Sequence, residues 1–307
     1  MNFDEYLHEL ADGAVALKVA GLQRLSTLSR EQVTELRLRW REIDVRRRRR
    51  IVQELTDLSE DNVELDFNAV FSIGLRDEDA AVRTQSVRGL WEHEGADVIG
   101  PLLDLLAGDE TTAIRAEAAL ALGRFVDLHE DGRLRDHHFQ RVEEGLRRAL
   151  ERSSEEQEVR ARALQSIGAH NEQWVRGAIR EAYESAQRAM KIAAVHAMGR
   201  SSDDRWLPLL LRELTSDDAE VRYEAAVAAG SLADERAILQ LIKLVVDPDD
   251  EVKQAAIAAL GEIGGLQARE ALLALLDSES EAVREAATEA LALLDFEDDP
   301  LAFKQRL

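Results

Sequence analysis

The feature that most constrains this chain is a repeat. The segment EVKQAAIAALGEIG begins at Glu251, with EVRYEAAVAAGSLA 31 residues before it and AVREAATEALALLD 31 residues after it. The shared core is an apolar anchor followed by Lys or Arg, with small residues three and six places beyond the cation. The anchor falls at Leu17, Val45, Val82, Ile114, Val159, Met190, Val221, Val252 and Val283; the last five are spaced by 31 residues, and the earlier gaps are 28, 37, 32 and 45. A chain repeating a unit of this length folds as stacked supersecondary units, each burying an apolar face against its neighbours.

The spacing within a unit is helical. Positions anchor, +4, +7 and +8 share one side of a 3.6-residue helix; from Val252 these are Val252, Ala256, Ala259 and Leu260. Small residues in the middle of that side, such as Ala194/Ala197, Ala225/Ala228 and Ala287/Ala290, let neighbouring helices approach closely. Gly123, Gly168, Gly199, Gly230 and Gly261, nine places after their anchors, are compatible with close packing or with the start of a bend. A preceding helix is legible at Ile238, Leu241, Ile242 and Val245, then a turn at Asp247-Pro248-Asp249. Asp79, Glu110, Asp218, Asp249 and Ser280 are placed to cap the second helices. The expectation is all-α, with nine helix hairpins and no division into two globular domains.

At this point RAEAALALGR (Arg115 to Arg124) and VRYEAAVAAGSLAD (Val221 to Asp234) carry a family resemblance. VRxxAxxALG after a capped turn resembles the HEAT repeat, in the bacterial form also found in phycobilisome lyases. The resemblance implies a right-handed α-solenoid running through residues 1–307. Residues 1–76 would be divergent capping repeats, 77–295 regular repeats with an insertion near 124–140, and 296–307 a C-terminal cap. Phe3, Tyr6, Leu7 and Leu10 are expected to cover one end, and Phe296, Leu301 and Phe303 the other. Deoxyhypusine hydroxylase is built on similar units and places His-Glu pairs two and three residues after the anchor to bind two irons. Here those positions read Ala116-Glu117 and Tyr223-Glu224. The glutamates match and the histidines do not, so that site cannot be assembled.

Composition narrows the functions. With 61 acidic and 39 basic residues the net charge is -22, which opposes a broad phosphate-binding surface, so nucleic acid is not the expected partner. There is no cysteine, which removes thiolate metal sites and disulfides. No apolar run approaches the length that spans a bilayer, and the start of the sequence does not read as a secretory signal. Together these set the cytoplasm as the expected location. Walker A, dinucleotide-binding, GxSxG and HExxH motifs are missing from the sequence. No cofactor is expected.

Two regions break the pattern. Arg37, Arg39, Arg41 and the run Arg46, Arg47, Arg48, Arg49, Arg50 form a cationic collar, while residues 1–60 as a whole balance 11 bases against 11 acids. The collar reads as a solvated helix face paired with local acids, or as a contact for an acidic protein surface, including the acidic end of a second copy. The insertion holds His129, His137 and His138 among Asp127, Glu130, Asp131 and Asp136, and reads as a polar excursion at a repeat junction or as a partner contact. Asp61, Asn62, Glu64 and Asp66 read as a capped, extended turn, since the EF-hand spacing is missing.

The function expected is therefore a non-catalytic, protein-binding scaffold or adaptor that uses the concave surface of the second helices. Helical-wheel positions two, six and nine after the anchor point away from the packed side. Trp91, Gln165, Tyr223 and Gln254 occupy such positions, and Glu117 is nominated with them. The alternative, implied by the lyase resemblance, is an accessory enzyme acting on a bound protein or tetrapyrrole.

Overall fold

The protein, described by a computed structural model over residues 2–298, contains eighteen α-helices and no β-strand among the described residues. It divides into two compact units, residues 1–166 and 167–307. The first comprises α1 (Phe3–Ala11), α2 (Val19–Leu22), α3 (Arg30–Arg39), α4 (Val45–Asp61), α5 (Asn68–Gly74), α6 (Ala80–Gly89), α7 (Ile99–Gly108), α8 (Thr112–Glu130) and α9 (Asp136–Glu151), and α10 (Gln157–Ile167) closes it. The second comprises α11 (Gln173–Glu184), α12 (Arg188–Arg200), α13 (Leu207–Glu213), α14 (Ala219–Ser231), α15 (Ile238–Leu244), α16 (Asp250–Ile263), α17 (Gly265–Leu275) and α18 (Glu281–Asp298). The fold class is the right-handed α-solenoid, about nine successive helix pairs.

From the third pair onward the anchor register holds. Val82, Ile114, Val159, Met190, Val221, Val252 and Val283 are all buried, as are Ala225, Ala256 and Ala287 four residues on. The glycines nine after the anchor are packing residues. A methyl group on Gly199 would lie 2.6 Å from the Ala228 Cα, and one on Gly168 2.8 Å from the Ala197 Cα. Gly230 meets Ala259 and Gly261 meets Ala290 in the same way. Four successive repeats thus set the +9 glycine against the +7 alanine of the next second helix, an approach that leaves no room for a Cβ, and Gly123 meets Ser166 at the corresponding place. Position nine therefore faces the packed side, which corrects the helical-wheel reading.

The cation after the anchor clasps turns. Arg222 donates from Nη1 to the carbonyls of Ser216 and Asp217 in the turn before its own helix, and from Nε and Nη2 to Asp247 at 2.8 Å each in the turn of the next pair. Arg83 repeats this with the carbonyls of Asp77 and Glu78 and the carboxylate of Asp109. Arg115 holds the Asp109 carbonyl and Glu155. Burial pushes the Asp109 and Asp247 carboxyls up, but the arginine and backbone donors outweigh it and hold both below the ordinary 3.8.

The caps at Asp79, Asp218 and Asp249 accept backbone N–H bonds as expected. Glu110 does not cap α8. Thr111 takes the N-cap position, and the Asp109 carboxylate accepts the Thr111 N–H. Near the N-terminus the first two anchors fail. Leu17 precedes α2 and is half-buried. In α4 the buried set is Arg48, Ile51, Val52, Leu55 and Thr56, so the packed face starts at Arg48 and not at Val45. Tyr6, Leu7 and Leu10 of α1 are buried, and α1 packs on α3. Of the C-terminal cap expected at Phe296, Leu301 and Phe303, the last two residues and the Phe296 side chain lie outside what the structure describes.

The extra residues of the insertion lengthen α8 and α9 to 19 and 16 residues. His129 stacks on Phe139 at 3.8 Å across the turn at Gly132, and Arg133 pairs with Glu94. The Asp61–Asp66 stretch is a capped turn: Asn62 accepts the Glu64 N–H, and Asp66 accepts the Asn68 N–H.

Candidate protein-interaction face

The second helices of the second unit pack on one another through the Gly–Ala side and leave another side to solvent. In the second unit that open side forms a groove along α14, α16 and α18. A hollow of about 830 Å³ is lined by Tyr223, Glu224, Val227, Glu251, Gln254 and Ala258. It adjoins one of about 410 Å³ lined by Glu262, Glu285, Ala286, Glu289 and Leu293; Gln254 and Ala258 belong to both. Small side chains form the floor because the repeat places alanine next to its packed stripe. Carboxylates form the rim because Glu stands at −1 in the Val221 and Val252 repeats, at +3 in the Val221 repeat, and at +2 and +6 in the Val283 repeat.

The charge on this face is segregated. Arg222 is committed to Asp247, Lys253 to Asp250 at 2.6 Å, and Arg284 to the carbonyls of Ser278 and Glu279. None of these three cations lines the groove. Arg188 stands at one edge, held by Asp218 at 2.5 Å and Glu220 at 2.7 Å, and its hydrogen bond keeps the Asp218 carboxyl below its ordinary range. His196 Nδ1 lies 3.0 Å from Glu224 Oε2. Glu251, Glu285 and Glu289 are exposed and have no ion-pair partner among the described residues.

The structure brings Tyr223 and Gln254 together in this groove, both exposed. Glu117 and Trp91 belong to the first unit. Glu117 is half-buried and accepts from Arg88 at 2.8 Å. Trp91 is 57% exposed because α6 ends at Gly89 and the chain turns there. Gln165 is not a surface residue. It is 8% exposed, bonded to Arg162, in a stretch of α10 buried on nearly every side from Ala163 to Gly168. Sequence reasoning missed the Glu251, Glu285 and Glu289 rim. The signal was present in the glutamates before and after the anchors, but only the fate of the neighbouring cations reveals them as unopposed.

The collar is largely spent on the fold. Arg48 is buried, with Nε 2.9 Å from Asp77 and Nη2 2.9 Å from Glu78, and Trp40 Nε1 donates to the same Asp77 at 2.6 Å. Arg49 donates to Asp79 and holds that carboxyl at about 2. Arg47 donates to the carbonyls of Val15 and Glu9, and Arg50 to Glu54. Arg37, Arg41 and Arg46 remain exposed. No group of three or more potential metal ligands occurs among the described residues, and no described helix is long and apolar enough to cross a membrane.

The family model for HEAT repeats matches residues 68–133, 143–217 and 207–292. Among solved structures, the complex of CpcE and CpcF of phycocyanin lyase from Nostoc is similar at 17% identity and a TM-score of 0.53, covering 93% of this chain and 96% of that one. Human deoxyhypusine hydroxylase matches at 20% identity, TM-score 0.38, over 86% of this chain and 96% of its own. The karyopherin Kap121p matches at 14% identity, TM-score 0.43, over 95% of this chain and 41% of its own. No curated protein matches the chain.

Proposed function

We propose that this chain, which belongs to the HEAT-repeat family, is a non-catalytic scaffold that binds a protein partner on the open side of its second helices. The observation that carries the reading is the groove along α14, α16 and α18. Its walls combine exposed carboxylates, a tyrosine and small apolar side chains, a mixture suited to polypeptide recognition. The repeated residues are packing residues, and the histidines that would make a paired-metal site are replaced by Ala116 and Tyr223.

Affinity capture with cross-linking tests this. The expected result is a defined protein partner with cross-links mapping to the groove helices. A purified protein that processes a defined small molecule, and loses turnover when His137 or Asp127 is changed, would replace the reading with an enzymatic one. The likeness over nearly the whole chain to the phycocyanin lyase complex makes a tetrapyrrole-bearing protein the first substrate to offer in that assay.

A further inference from the structure

We infer that the groove of the second unit takes an extended, lysine- or arginine-rich segment of a partner protein. The inference rests on the scaffold reading and adds the chemistry of the occupant. The face is open, and its two hollows adjoin at Gln254 and Ala258, which line both. Apart from Arg188, which Asp218 and Glu220 hold at one edge, its charge is negative for a structural reason: the cation after the anchor in the Val221, Val252 and Val283 repeats is used at Asp247, Asp250 or turn carbonyls. Glu251 on α16 and Glu285 and Glu289 on α18 are exposed, with no ion-pair partner among the described residues. Glu220 on α14 continues the series, although Arg188 already holds it.

The complement to such a surface is cationic. A polyanion is repelled, and the carboxylates stand too far apart to gather around one metal ion. Geometry selects an extended segment. The groove runs across successive helices, whose axes pack about 8–10 Å apart. A chain in the extended polyproline II form advances about 3.1 Å per residue with three residues per turn, so cations three residues apart recur on one side of it at about the same interval. Tyr223 offers a ring face to one cation, and the floor of Ala258 and Ala286 leaves room for the aliphatic stems of lysine or arginine.

The test uses the full chain and a fluorescein-labelled peptide of about fifteen residues built from Lys-Ser-Ala repeats, followed by fluorescence anisotropy at about 0.1 M salt. The wild type is expected to bind it better than a peptide of the same composition with its lysines in one block. The triple variant Glu251→Lys/Glu285→Lys/Glu289→Lys is expected to lose about tenfold or more in affinity. A control, Glu235→Lys/Glu270→Lys/Asp277→Lys, makes the same change in net charge at exposed positions outside the groove and is expected to lose less than about threefold. Circular dichroism and thermal unfolding establish that both variants are folded. Equal losses in the two variants would assign the binding to overall charge and overturn the groove. No binding by the wild type would overturn it as well. A partner retained by the groove variant and cross-linked elsewhere would leave the scaffold function standing and remove this site from it.

Discussion

The helices α4 and α16 occupy the same place in their pairs and are held there by different chemistry. In α16 the packed side is Val252, Ala256, Ala259 and Leu260, all buried, with the Ala259 methyl against Gly230 of the previous second helix. In α4 the equivalent first position is Arg48, buried against Asp77, which also receives Trp40 and the backbone N–H of Asp79. One helix is seated by shape and the other by a buried ion pair inside a hydrogen-bonded network. A solenoid can therefore keep its architecture while exchanging apolar meshing for charge. The exchange carries a different risk, because a buried charge left without its partner costs more than a lost methyl contact.

The sharpest way to break the comparison is Arg48→Met. The substitution keeps volume but strands Asp77, and a loss of about 3–5 kcal/mol is expected in denaturant unfolding, with hydrogen exchange localising the opening to α3–α6. A loss below about 1 kcal/mol would mean that the pair is not what holds α4. Next in size, Ala256→Leu forces a large side chain into a close helix contact and is expected to cost roughly 1–3 kcal/mol.

Acid titration compares the clasps. The carboxyls of Asp109 and Asp247 lie below 3.8 in the folded protein, so their contribution is fully present above that value and is lost as pH falls through the folded value. Stability in both units is expected to drop below about pH 4, and Asp247→Asn should flatten that dependence in the second unit alone, as read by hydrogen exchange. The smallest effect is expected from Gln254→Leu, within about 0.5 kcal/mol, because the side chain faces the groove. If it costs as much as Ala256→Leu, the two faces of α16 have been exchanged.

The regular part of the fold was legible because its signal is redundant: seven anchors from Val82 to Val283 fall in the same helical phase. The N-terminal pairs were misread where an ion pair replaces an apolar contact. Arg48 fills an anchor position, and apolar periodicity cannot distinguish an arginine paired beneath the surface from one in solvent. Position nine was misjudged for another reason. A wheel places Gly199 and Gly230 by angle alone, whereas their burial comes from how near the next helix lies. Gln165 was lost too: the wheel points it outward, yet every residue from Ala163 to Gly168 is buried. Of the candidate site, Tyr223 and Gln254 were found by phase, and the unopposed glutamates beside them were not.

The arginine clasp has a consequence for how such a chain can grow. It ties a helix start to the inter-helix turn of the following pair, as Arg222 does with Asp247, and it makes no contact with the opposite ends of the helices. Arg115 reaches Glu155 across 40 residues of sequence where Arg222 spans 25, because the added residues lengthen the far ends of α8 and α9 around Gly132. Spacing is thus metered at one edge of the stack, while the other edge is free to vary in length. New surface can be added at the 131–135 turn, or at its counterparts in other pairs, without resetting the distance from one repeat to the next.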